Sequence, residues 1–129
     1  MEKLLQVSAI VEIATGIALL AVPALLVRIL FGSALDEAAG LAVARVAGAA
    51  LVSLGLACWF GSRDTHSRAC LGIVAAMLVY NLGVFMLLVS LRYGAGMTGI
   101  GLLPVSALHV ALAVWCIFCL KMAWLPKRR

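Results

Sequence analysis

Four long apolar runs, roughly 4–31, 38–60, 69–91 and 101–124, fill nearly the whole chain and are separated by short polar or glycine-rich stretches. Each exceeds the ~20 residues a helix needs to cross a bilayer. The pattern predicts an all-α fold, a four-helix transmembrane bundle with up-and-down order, forming a single integral membrane domain over residues 1–129. Nothing remains from which to build a water-soluble domain. Each run also carries one strongly polar residue at membrane depth: Glu12, Arg45, Asn81 and His109. Such groups are costly in lipid and are expected to face a protein interior or a functional site.

Composition strengthens this picture, because 66% hydrophobic and 12% charged residues with a mean hydropathy of +1.20 lie far outside a soluble domain's balance. The first run is too long for the h-region of a secretory signal and is expected to stay in the mature protein. Charge then sets orientation. Lys3, Arg63, Arg68, Lys121, Lys127, Arg128 and Arg129 fall with the termini and the middle loop, whereas only Arg28, Arg45 and Arg92 fall toward the other side. By the positive-inside rule both termini are expected in the cytoplasm. The net charge of +5 reads as an anchor to anionic headgroups through the closing Lys-Arg-Arg, with the lipid bilayer rather than nucleic acid as the partner.

The connections carry ordinary helix-boundary chemistry. Ser33 with Asp36 resembles a capping box, Asp36 and Glu37 suit the positive end of the second long helix, and Asp64 or Thr65 is the expected cap of the third. Pro23 is expected to kink the first run and free a carbonyl. The segment from Tyr93 to Gly101 holds four glycines, so a permissive, mobile loop is expected there, with Pro104 in the first turn of the last helix. Gly40, Ala44 and Gly48 recur at i+4 with Gly55 beyond them, the expected tight seam within one chain or between copies in a homo-oligomer. Trp59, Tyr93 and Trp124 sit at run ends, as interfacial aromatics do.

At ~1.5 Å per residue, Glu12 lies ~12 Å from the cytoplasmic boundary, Asn81 and His109 ~18 Å, and Arg45 ~20 Å. The last three share a level. Helical spacing puts Ser8, Glu12, Thr15 and Gly16 on one face, and Ser106, His109, Ala113 and Cys116 on another. A convergent interior cluster of Glu12, Arg45, Asn81 and His109 is therefore expected. Side chains lean toward their own helix N-terminus, so Glu12 and Arg45 lean apart, and Asn81, His109 or water is expected to bridge them. The cluster reads either as a polar network fixing helix register or as a site for a proton, an ion or a small polar ligand. Arg28 is expected to meet Asp36 or Glu37 at the surface.

Other chemistry is thinner. His109 raises haem or metal ligation, but His66 lies far away in a loop, so a bis-His site would need two subunits. Cys116-Ile-Phe-Cys119 has CxxC spacing, and Cys58 and Cys70 lie near the same boundary, so a soft-metal site is conceivable. Buried cysteine as a small apolar filler is the simpler reading. No nucleophile with a base, no paired carboxylates, no phosphate loop and no nucleic-acid motif is present, and no cofactor or metal is expected.

The run Ala9-Ile-Val-Glu12-Ile-Ala-Thr-Gly16 resembles helix one of small multidrug-resistance exporters, which couple drug release to protonation of such a glutamate. That resemblance covers this segment alone: the aromatics of that family's pocket have no evident counterparts, and the charge bias opposes dual topology. Across the chain, the segments 44–59, 75–81 and 108–116 resemble those of small uncharacterised bacterial four-span proteins, which implies a bacterial inner membrane location. Together these features describe a non-enzymatic membrane protein, a ligand-binding or accessory subunit of a larger membrane complex. The alternatives are a proton-coupled transporter using Glu12 and an intramembrane haem or metal protein.

Overall fold

The computed structural model describes residues 1–124, with the side chain of Trp124 and the closing Lys127, Arg128 and Arg129 outside the described residues. Five α-helices follow in order: α1 (Glu2–Ala21), α2 (Pro23–Phe31), α3 (Ala38–Gly61), α4 (Arg68–Tyr93) and α5 (Leu102–Trp124). Four of them, α1, α3, α4 and α5, are long and apolar enough to cross a bilayer, so the chain is a multi-pass membrane protein. The expected all-helical bundle is present. The first run, however, is two helices and not one. Proline has no N–H and its ring crowds the preceding turn. Helix α1 therefore stops at Ala21, Val22 takes φ −136° and ψ 55°, and Pro23 opens α2 at its first position.

The helices pack as two close pairs, α1 along α3 and α4 along α5, with lighter contact between the pairs. Lipid gives no hydrophobic drive for helix association, so close backbone approach has to supply it. The α1–α3 pair achieves this through glycine. A methyl group at Gly16 would stand 2.6 Å from the Gly48 carbonyl oxygen, and one at Gly48 would stand 2.7 Å from that of Gly16. About two turns along, Gly55 lies comparably tight against the Ala9 carbonyl and Ile13. The expected seam thus exists within the chain, though shifted: Gly48 and Gly55 form it, whereas Gly40 packs on Leu35 in the loop before its own helix.

The helix boundaries depart from expectation in detail. Neither Ser33 nor Asp36 builds a capping box, because α3 starts after Glu37 with no side-chain cap. Ser67 caps α4 in place of Asp64 or Thr65, its hydroxyl accepting the Cys70 N–H at 3.1 Å. The glycine-rich loop is latched where free movement was expected. Gly101 N–H donates to the Ile29 carbonyl at 3.0 Å, Arg92 donates to the Met97 carbonyl, and Gly99 lies directly against the Leu30 carbonyl. Only glycine permits that approach. The loop therefore fastens α2 over the bundle at the end opposite the N-terminus.

The buried apolar cluster lies at the other end. Leu4, Leu5, Ala9, Val74, Met77 and Leu112 pack there with all four cysteines, fully or almost fully enclosed. Trp59 and Tyr93 are exposed at helix ends as interfacial aromatics should be, and Arg63 lies 5.7 Å from the Trp59 ring.

Candidate functional site

Three of the four polar intramembrane residues come together, and the fourth does not. Glu12 on α1, Asn81 on α4 and His109 on α5 are 1%, 0% and 6% exposed, and they lie where the two helix pairs meet. Arg45 is exposed on α3 and lines none of the interior cavities around them. The expected four-residue cluster is corrected accordingly. Arg45 follows Ala38, the start of α3, by seven residues, about 10 Å along the axis. Its side chain leans toward that end, and a long arginine stem can carry its head group to the membrane boundary. Reach of this kind lowers the cost of a charge in a membrane span without a partner in the interior.

The core of the site is a short hydrogen-bonded chain. His109 Nδ1 and Asn81 Oδ1 are 2.8 Å apart, and the Asn81 amide donates in turn to the Met77 carbonyl at 2.7 Å. With the amide nitrogen committed to Met77, its oxygen is left to accept, so Nδ1 is the nitrogen that carries the proton and Nε2 is the acceptor. Asn81 thus orients the ring. Tyr80, one residue earlier, meets the same imidazole edge-on, with ring centroids 5.6 Å apart and planes at 75°. The Tyr80 phenol also faces the Glu12 carboxyl.

Tyr80 was not among the residues that the sequence pattern singles out, yet it joins Glu12 to His109. The signal was available: Trp59 and Tyr93 stand at run ends, while Tyr80 stands mid-run, where its hydroxyl needs a buried partner.

Glu12, Thr15, Tyr80 and His109 line a cavity of about 150 Å³ whose remaining wall is apolar and includes Leu26, Ile29 and Leu30 of α2. A neighbouring space of about 250 Å³ shares Thr15, Leu26, Tyr80 and His109 and reaches Ala44 and Leu51 of α3. The short helix created by Pro23 therefore roofs the chamber, and the glycine latch holds the roof.

Among the described residues, two buried side-chain oxygens have no hydrogen-bond partner: Glu12 Oε1 and Ser8 Oγ. They lie one turn apart on the same face of α1. Ser53, Ser62, Ser90 and Ser106 each donate back to a carbonyl three or four residues earlier at 2.7–3.0 Å, and Ser8 does not. Buried polar groups almost always find partners, since an unmade bond costs ~1–3 kcal/mol and more for a charged group.

The other candidate residues fall away from the chamber or leave it unchanged. His66 is exposed in the turn between α3 and α4, so it brings no second imidazole to His109 and the haem reading gains no ligand. Arg28 and Asp36 border the same surface cleft, and among the described residues the ion pair of Arg28 with Asp36 or Glu37 that their positions suggest is not formed. Comparison with known proteins adds nothing to the geometry, for no family model, curated protein or solved structure matches the chain.

Proposed function

We propose that this chain is a non-enzymatic binding protein of the bacterial inner membrane, with both termini in the cytoplasm. It admits a small, largely apolar molecule carrying a hydrogen-bond donor into the chamber beneath α2. The observation that carries the reading is a cavity whose polar lining comes from Glu12, Thr15, Tyr80 and His109, with Glu12, 1% exposed, keeping one carboxyl oxygen without a hydrogen-bond partner. An apolar wall with a few convergent polar groups is the ordinary construction of a small-molecule site. Asn81 holds His109, and Glu12 supplies the acceptor that selects a donor-bearing ligand. The absence from the sequence of a nucleophile with a base, or of paired carboxylates, favours binding over covalent chemistry. An accessory role within a larger membrane assembly is compatible with this chemistry.

The test is thermal unfolding of the purified protein in lipid nanodiscs against a panel of small apolar amines, amides and alcohols. At least one donor-bearing compound raises the wild-type Tm and leaves Glu12→Gln unmoved; a panel that shifts neither protein, or both equally, would overturn the reading. A second reading, proton-coupled transport, is favoured by the same carboxyl together with the hinge at Val22. It requires proton-linked flux of a chamber ligand in proteoliposomes that Glu12→Gln abolishes. A reporter fused after Arg129 that reads extracytoplasmic would refute the orientation.

A further inference from the structure

The chamber at Glu12 is the inner end of a longer hollow. Its volume of about 150 Å³ abuts the neighbouring space of about 250 Å³ across Thr15, Leu26, Leu30, Tyr80, Val105 and His109, which line both. That second space abuts in turn a groove of about 460 Å³ across Val27, Phe31 and Ala44, again common to both. The chamber and the groove share no residue, so the second space lies between them. Val43, 68% exposed, and Ala47, also exposed, stand on the groove's outer wall, which opens it on the bundle surface. Polar side chains are gathered at the inner end, and the groove carries only Ser33.

The seam between α1 and α3 gives the hollow its length. Gly16 faces Gly48 and Val52, and Gly55 faces Ala9 and Ile13, so Glu12 stands level with α3 near Val52. From there to Gly40, on the groove, is ~18 Å along the axis. A space of about 150 Å³ is small for a ligand site, ordinarily ~300–1,000 Å³, and the chamber reaches that range only with the space behind it. An apolar chain gains little by leaving lipid for such a route, since both are equally apolar. The head group therefore decides what binds. A fatty acid or a phospholipid would bring an anion against the Glu12 carboxyl, and among the described residues no buried lysine or arginine offsets it.

Resting on the binding function proposed above, we infer that the ligand is a single-chain amphiphile of the bilayer, a long apolar chain ending in a hydroxyl, amide or amine. Its head donates to Glu12 Oε1, its chain runs beneath α2, and its far end leaves through the groove between α2 and α3 into the lipid. The groove is what lets a long chain stay in the membrane while its head reaches an acceptor deep in the bundle.

The test uses the full chain in phosphatidylcholine nanodiscs with hexyl and hexadecyl alcohols, amides and amines, each at the same mole fraction in the bilayer, and reads the Tm. For at least one head group both chain lengths raise the wild-type Tm. Ala44→Trp, where the second space meets the groove, and Ala47→Trp, on the groove's exposed wall, keep the hexyl shift and lose the hexadecyl shift. The hexyl shift also reports that each variant is folded with its chamber intact. In wild type, a hexyl shift without a hexadecyl shift would overturn the inference and leave the chamber reading standing, and so would a hexadecyl shift that survives both substitutions. No shift with any of these compounds would remove the chamber reading as well. Because the two chain lengths are first compared in wild type, a variant that fails to fold does not rescue the idea.

Discussion

The two ends of this bundle are built on opposite plans. At the N-terminal end, Leu4, Leu5, Val74, Met77 and the cysteines pack to complete or nearly complete burial. At the other end, the helices stand around a chamber roofed by α2, and a carboxyl oxygen is left without a partner. The same helices contribute to both. What separates them is the backbone: Pro23 ends α1 early, so its continuation crosses the chamber instead of filling it, and Gly99 and Gly101 fasten it there.

The largest effect is expected at the seam that serves both ends. Leucine at Gly16 or Gly48 forces a side chain into the facing backbone, and at least ~3 kcal/mol of stability should be lost, the upper end of overpacking. Thermal melts in detergent would show either collapse of the transition or, against this account, a normal Tm. Next comes the contrast itself. Lipid is as apolar as a leucine-rich core, so removing a side chain costs chiefly its packing contacts. Leu4→Ala in the solid end should cost roughly 2 kcal/mol, the low end of the core range, and Leu26→Ala, which already borders empty space, well under half of that. Equal losses at the two sites would erase the distinction between the ends.

Smaller again is Asn81→Ala, which leaves the His109 Nδ1–H without its acceptor and should cost about 1 kcal/mol while loosening the ring. Smallest is Arg45→Ala. Exposed on α3 and outside the interior cavities, it should leave Tm unchanged within error, and a loss comparable to that of Asn81→Ala would restore Arg45 to the interior.

Much of this was legible in the sequence, for reasons that are local. Run length and composition are properties of a single helix, and they identify the four spans directly. The break at Pro23 follows from one missing N–H. Small residues at helical spacing identified Gly48 and Gly55, and polar residues at one depth identified Asn81 and His109. What was not legible depends on rotation about a helix axis. Arg45 and Gly48 are three positions apart, about 60° around the helix, and that offset is enough to leave Arg45 exposed while Gly48 is buried in the seam. No periodic pattern in α3 distinguishes the two faces, because both are rich in alanine. Tyr80 stands out mid-run only by its hydroxyl, whose partner depends on the facing helix, and the gathering of the four cysteines depends on how three helices are set beside one another.

We propose that the hollow end holds a molecule whose donor satisfies Glu12. A cryo-electron microscopy or crystal structure of the protein taken gently from its native membrane tests it most directly. The expected result is non-protein density larger than water in the chamber, within hydrogen-bonding distance of Glu12 Oε1 and bordered by Tyr80 and His109. A chamber that has closed, with Glu12 and Ser8 bonded to protein groups and α2 packed onto α1, would contradict it.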